Sequence, residues 1–368
     1  MDVDYTLGIV GSRRRIQRTL ISCCEHLLEM ALIFTYESAQ FLRRLWLGSG
    51  GQESTQESSS GDGFEWNRPY LKRSVAPRSR NSGGEGDYIR GEDTKIISQL
   101  PRLVSVACGF AKDQAVYPQY NRGKFGEDAW FITSTPHAHI MGVADGVGGW
   151  RSYGVDPGEF SSFLMRSCER LSRSPDFLPQ RPDLLLASGY RDLLGQKCPI
   201  VGSCTACILS LNRRNSTLYT ANIGDSGFLV VRSGAVVCRS REQQHHFNTP
   251  YQLSSPPPGH ELNVLSDGPE SADSQHFPVQ PGDVILLATD GVYDNVPESF
   301  LIEILSEMAG ISEAVRLQMA ANAVALMART LSQNPNHDSP FSQNARRLNI
   351  EASGGKPDDI TVLLASVV

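Results

Sequence analysis

Two short apolar runs in this chain end the same way. Met141-Gly-Val-Ala144 leads straight into Asp145-Gly146, and Ile285-Leu-Leu-Ala-Thr289 leads into Asp290-Gly291. Apolar runs of this length, bounded by turn residues, read as strands buried on both faces. A carboxylate at the end of such a strand stands at the rim of a rigid sheet. The glycine after it lets the backbone turn and its carbonyl approach a ligand. One Asp-Gly is an ordinary turn. Two of them, each closing an interior strand, ask for a fold that delivers acids from its core strands to one surface. Two acidic pairs, Glu127-Asp128 and Asp358-Asp359, add to this, each standing just ahead of a further strand signal.

The rest of the pattern alternates strands and helices. Strands are expected at 103–107, 129–132, 140–144, 204–211, 217–222, 227–232, 235–238, 284–289 and 360–367. Asp156-Pro157 has the form of an N-cap followed by proline at the first helical position, opening a helix to about residue 173. Further helices are expected over 182–194, 298–308, 311–331 and 339–348. Strand meanders interrupted by helix blocks predict an α+β layered domain over 95–368, not a doubly wound parallel sheet. Residues 239–282, with Pro256-Pro-Pro258, read as a long surface excursion.

Ahead of that domain, residues 48–94 are rich in Gly, Ser and charge, and read as a disordered linker. Residues 1–47 read as an N-terminal helical or targeting segment. Arg13, Arg14, Arg15 and Arg18 favour a mitochondrial transit peptide, whereas Asp2, Asp4, Glu25 and Glu29 favour a plain helical appendage. No stretch approaches the ~18 uninterrupted apolar residues of a membrane span.

Charge narrows the function classes. The chain has 34 Lys+Arg and 40 Asp+Glu, and residues 1–100 carry 13 of each, so the net −6 belongs to the domain. That argues against a nucleic-acid partner, which wants a concentrated basic surface. The eight cysteines lack the spacing of a disulfide scaffold or a zinc set, and Cys204-Thr-Ala-Cys207 lies inside an expected strand. A reduced intracellular compartment and a monomer are the default expectations.

Clusters of carboxylates without histidine suit hard cations, Mg²⁺ or Mn²⁺. An EF-hand loop is not present in the sequence. Two adjacent divalent cations can clamp a phosphoryl oxygen and activate a water, so the carboxylates alone point to phosphoester hydrolysis.

The order of the motifs carries a resemblance. Glu127-Asp-Ala, Asp145-Gly-Val-Gly-Gly149, Gly202-Ser203, Asn222-Ile-Gly-Asp-Ser226, Thr289-Asp-Gly-Val-Tyr-Asp294 and Asp358-Asp-Ile-Thr361 resemble the metal-dependent PPM (type 2C) protein Ser/Thr phosphatases over about 101–368. The stretches 145–157, 224–232 and 355–364 are similar to the PTC-seven-like branch, which is associated with mitochondria. The resemblance implies a four-layer α-β-β-α sandwich with two central antiparallel sheets, phosphoprotein substrates, and two Mn²⁺ or Mg²⁺ ions. It implies that Asp145 bridges both ions and that the Gly146 carbonyl binds one of them. Glu127 would lie on that side, with Asp128 in its water shell. Asp290 and Asp358 would hold the other ion, with Asp359 behind them.

Two departures accompany it. Val147 stands where many members carry a histidine general acid; His137, His139, His245 and His246 are the substitutes to consider. Gly123 stands where the phosphate-anchoring arginine is usual, leaving Arg122 or Lys124 for that task. Asp225 is expected as a turn residue, and Asp294 either as support for the metal shell or, in preference, as the cap of the next helix. The reading from another class is a catalytically weak binding protein for phosphorylated partners.

Overall fold

The strands of the domain are antiparallel, and their alternating side chains build two separate cores. The computed structural model describes residues 101–113, 123–257, 259 and 264–368. The expectations for 1–47 and 48–94, and the position of Arg122, lie outside the described residues.

One sheet has six strands, ordered β13-β7-β6-β4-β3-β2: β2 (Lys124–Phe125), β3 (Asp128–Ser134), β4 (Ala138–Ala144), β6 (Ala206–Asn212), β7 (Thr217–Ile223) and β13 (Asp273–Pro278). The other has five, ordered β1-β15-β14-β8-β9: β1 (Leu103–Phe110), β8 (Gly227–Arg232), β9 (Ala235–Arg239), β14 (Val284–Ala288) and β15 (Ile360–Val367). Met141, Val143, Cys207 and Leu209 of the first sheet pack with Phe228, Ile285, Leu287 and Leu363 of the second in one fully buried cluster. Their neighbours in the same strands, Ile140, Ala144, Ala206 and Ile208, point the other way. There they meet Phe160, Leu164 and Leu186 from helices α1 (Pro157–Leu171) and α2 (Pro182–Leu194).

The outer face of the five-stranded sheet is covered by α4 (Glu298–Ser306) and α5 (Ala314–Ser332), reached through the short helix α3 (Asp290–Tyr293). A final helix, α6 (Pro340–Arg347), precedes β15. The layering is thus helix, sheet, sheet, helix, an α+β architecture as expected. Among the described residues no helix is long and apolar enough to cross a membrane.

Most expected elements are present with ends shifted by a few residues. Asp156 caps α1, its Oδ1 accepting from Gly158 N at 2.9 Å. Cys204 and Cys207 are buried and free, which fits small hydrophobes, although the strand expected over 204–211 is interrupted at Thr205.

The 239–282 segment differs from the expectation. It contains the hairpin β10 (Gln244–His246) and β11 (Thr249–Pro250), strand β12 (Leu253–Ser255) on β5 (Gly202–Cys204), and β13 on β7. Asp273-Ser-Gln-His-Phe-Pro278 has almost no apolar alternation because it is an edge strand. The open backbone ladder of β7 recruits it, and an edge tolerates its proline.

His139, one of the histidines considered above, has a structural position. It is buried at the start of β4, the end opposite Asp145, with Nε2 2.8 Å from Ser105 Oγ. Burial, helped by Arg213, lowers its pKa to about 4. A folded pKa below the unfolded ~6.5 means that the stabilisation is present above 6.5 and is lost as pH falls toward 4. We expect the wild type to lose about 3 kcal/mol more than His139→Gln over that window. Urea denaturation of both proteins at stepped pH checks this; parallel curves would contradict it.

Candidate metal centre and active site

Each Asp-Gly sits where the strand leaves its sheet, and both glycines are required by close approach. A Cβ on Gly146 would lie 2.8 Å from Pro157 O and 2.9 Å from Glu127 O. A Cβ on Gly291 would lie 2.0 Å from Asp359 O. The glycines therefore let neighbouring acidic segments pack against the strand ends, a tighter constraint than the turn alone.

The Asp145–Val147 segment is strapped to the start of the neighbouring strand pair. Thr205 N donates to Asp145 O at 2.9 Å, Val147 N to Ser203 O at 3.0 Å, and Gly146 N to Glu127 O at 3.3 Å. Trp150 Nε1 donates to Ser203 Oγ at 2.7 Å, and that hydroxyl donates to Gln252 Oε1 at 2.6 Å. Ser203 thus braces the loop behind Asp145.

Asp290 begins α3 and is 6% exposed. Lys356 Nζ lies 2.5 Å from Asp290 Oδ2, 2.7 Å from Asp294 Oδ2 and 3.5 Å from Asp358 Oδ2. Burial opposes the charge on Asp290, yet Lys356 and hydrogen bonds hold its pKa below the ordinary carboxylate value. Burial pushes Asp294 up to about 7 and Asp358 up to about 6, with Asp290 adding to both. Asp145 is raised well above its ordinary value by burial, then by Asp128, Asp290, Asp358 and Asp225. These acids face one another across the mouth of the two sheets.

Asp128 and Asp359 hold the frame. Asp128 is fully buried, and its Oδ2 accepts from Thr289 Oγ1 at 2.8 Å and Thr361 Oγ1 at 2.7 Å, tying β3 of one sheet to β14 and β15 of the other. Asp359 accepts from Lys112 N at 2.5 Å and Glu127 N at 2.7 Å. Its carboxylate is engaged with backbone, whereas Asp358 faces Lys356 and Asp290. Of the two, Asp358 is the one turned toward the other acids.

Glu127 is 6% exposed and its side chain is bound by the Arg151 guanidinium. Burial raises its pKa, with Arg151 opposing. Lys124 is placed at the start of α1, Nζ 3.6 Å from Asp156 Oδ2, where it ties β2 to the helix cap.

Two site residues, Asp225 and Lys356, were not foreseen as such, and for Asp294 the preferred helix-cap reading does not hold. Asp225 does occupy a turn between β7 and β8, but that turn brings it beside Asp290, which after burial is the main cause of its raised pKa. Asp294 does not cap α4, whose N-cap is Pro297 without a side-chain bond; it binds Lys356 instead. Lys356 itself had only one signal, its place two residues before Asp358. Of the four histidines considered, His245 pairs with Asp267 at 3.0 Å and stacks on Tyr251, and His137 lies beside Arg214.

The residues fit a hard divalent cation on two observations. Asp290 Oδ1, Asp128 Oδ1 and Asp225 Oδ1 are buried without a hydrogen-bond partner, although such atoms normally find one. The donor set is all oxygen, as Mg²⁺ and Mn²⁺ prefer. Among the described residues, however, no three His, Cys, Asp or Glu side chains close on one point as ligands. Asp290, Asp294 and Asp358 gather instead around the Lys356 ammonium.

Comparison with known proteins gives the family. Residues 164–368 match the family model described as stage II sporulation protein E (SpoIIE). A protein phosphatase PTC7 homolog from Homo sapiens is 48% identical over 291 residues, covering 79% of this chain and 91% of that protein. The solved photosystem II phosphatase PBCP superposes with a TM-score of 0.61 at 28% identity, over 73% of this chain and 99% of that one. The protein phosphatase PTC7 homolog fig of Drosophila ananassae is 51% identical over 306 residues, 83% of this chain and 91% of that protein. Over most of its length, then, this chain belongs to the family of PTC7-homologue protein phosphatases.

Proposed function

We propose that the chain hydrolyses phosphoserine and phosphothreonine on proteins, with a pair of Mn²⁺ or Mg²⁺ ions held by its strand-end carboxylates. The observation that carries this is that Asp145, Asp290 and Asp358 lie close enough at one sheet mouth to perturb one another, with Asp290 Oδ1 buried there without a hydrogen-bond partner. Asp145, Asp290, Asp358 and Glu127 are the side chains assigned to hold the ions, with the Gly146 carbonyl beside Asp145 and Asp128 behind. The ions, when bound, would neutralise phosphoryl charge and acidify a water for attack.

The chain's own residues do the rest. Asp359 fixes Glu127 through its backbone, and Asp128 with Thr289 and Thr361 locks the two sheets in register. Arg151 brings a guanidinium, 41% exposed, to the Glu127 edge, a position suited to orienting a phosphate. It is assigned the anchoring task first considered for Arg122 or Lys124. Val147 offers no proton, so the leaving alkoxide must take its proton from another source.

The experiment is phosphate release from a phosphoserine peptide in Mn²⁺ and in EDTA. Release that depends on the metal supports the reading, and release indifferent to EDTA opposes it.

A further inference from the structure

Beside the carboxylate mouth lies a cleft lined by Phe110, Lys112, Arg329, Gln333, Pro357 and Asp358 among others. Asp358 belongs to both. Arg329 comes from the last turns of α5, and its Cζ lies 4.9 Å from the centre of the Phe110 ring. Its Nη1 is buried with no hydrogen-bond partner, and among the described residues no carboxylate forms an ion pair with it. A guanidinium stays charged under all ordinary conditions, so one edge of a positive charge is desolvated here over an aromatic ring.

Lys112 adds a second cation. Its backbone N is fixed by Asp359, and its side chain is 51% exposed, with Nζ 3.5 Å from Asp358 Oδ1. The cleft wall thus carries two cations against one acid. Asp358 is also the acid that the metal centre claims, which leaves the cations in excess when that centre is filled.

Size limits the ligand. The cleft has room for about 20 Å³, and a water-sized atom needs roughly 10–15 Å³. One or two oxygens fit inside it, which suits a carboxylate. Because the cleft and the metal centre share Asp358, a ligand there lies next to the reacting phosphate. Successive residues of a peptide are about 3.8 Å apart at Cα, so the residue beside the phosphorylated one can reach it.

We propose that the Arg329–Lys112 cleft receives the side-chain carboxylate of an acidic residue adjacent to the phosphorylated serine or threonine, and so sets substrate preference. This rests on the phosphatase reading above. The test uses phosphoserine peptides that differ only in Glu or Gln immediately before or after the phosphoserine, with the full chain in Mn²⁺. One charge-assisted hydrogen bond corresponds to about tenfold, so wild type should favour one Glu peptide by about tenfold in kcat/KM, chiefly through KM. Arg329→Gln and Lys112→Gln should each bring that Glu/Gln ratio toward one. Lys112 is half-exposed, so its variant carries the test if the Arg329 variant does not fold. A wild-type ratio near one, or variants that slow both peptides equally, overturns the proposal. Release from neither peptide would instead remove the phosphatase reading, and this inference with it.

Discussion

Lys356→Met should make the metal-free protein markedly less stable and should raise its affinity for Mn²⁺. The ammonium lies within 3.5 Å of three carboxylates, and its side chain is only 17% exposed. Burial opposes its charge, but the three acids push its pKa far above that of a free lysine. Removing one partner of a buried ion pair costs about 3–5 kcal/mol, because the acids left behind repel one another without a counter-charge. The same repulsion is what a divalent cation relieves. An entering ion no longer competes with the ammonium, so Mn²⁺ affinity should rise by tenfold or more, equivalent to about 1.4 kcal/mol. Urea denaturation in EDTA reads the first effect and calorimetric titration the second. Unchanged metal-free stability, or weaker Mn²⁺ binding, would show that Lys356 does not stand in for the metal.

Asp145→Asn should do the reverse to stability while sharply lowering turnover. In the metal-free protein Asp145 is raised by burial and by four neighbouring acids, so ionising it is unfavourable. A neutral amide removes that repulsion, and the metal-free variant should gain about 1 kcal/mol in denaturation experiments at pH 7.5. Phosphate release, in contrast, should fall by on the order of 10²–10³-fold, as expected when one preorganised electrostatic group at a reacting centre is lost. Gain in stability with loss of activity marks an acid kept for function. A variant that is both active and less stable would place Asp145 among structural residues.

The contrast between what could and could not be read in the sequence follows from range. Asp145 and Asp290 were legible because each ends an apolar run whose burial is a local property, visible in Ile140–Ala144 and Val284–Ala288. The α1 start was legible because Asp156-Pro157 specifies a cap in two residues. Asp225 was read correctly as a turn, yet nothing local says that its turn opens onto Asp290, which is 65 positions later and in another layer. Lys356, Asp294 and Arg151 belong to the site only through pairings between distant segments, and charged residues carry no periodicity to betray that. Strand β13 was missed for a related reason: its partner β7 supplies the ladder, and its own side chains, alternately half-buried and exposed, show no apolar face. The resemblance supplied the ligand roles. The structure added the lysine that the acids close on.

The central claim is that these carboxylates serve a metal-dependent phosphoester hydrolysis. Phosphate release from a phosphoserine peptide by the full chain, first stripped with EDTA and then titrated with Mn²⁺, tests it most directly. The expected result is no release in EDTA and a saturable return of activity as Mn²⁺ is added. Release at full rate in EDTA, or none at millimolar Mn²⁺, would contradict the account.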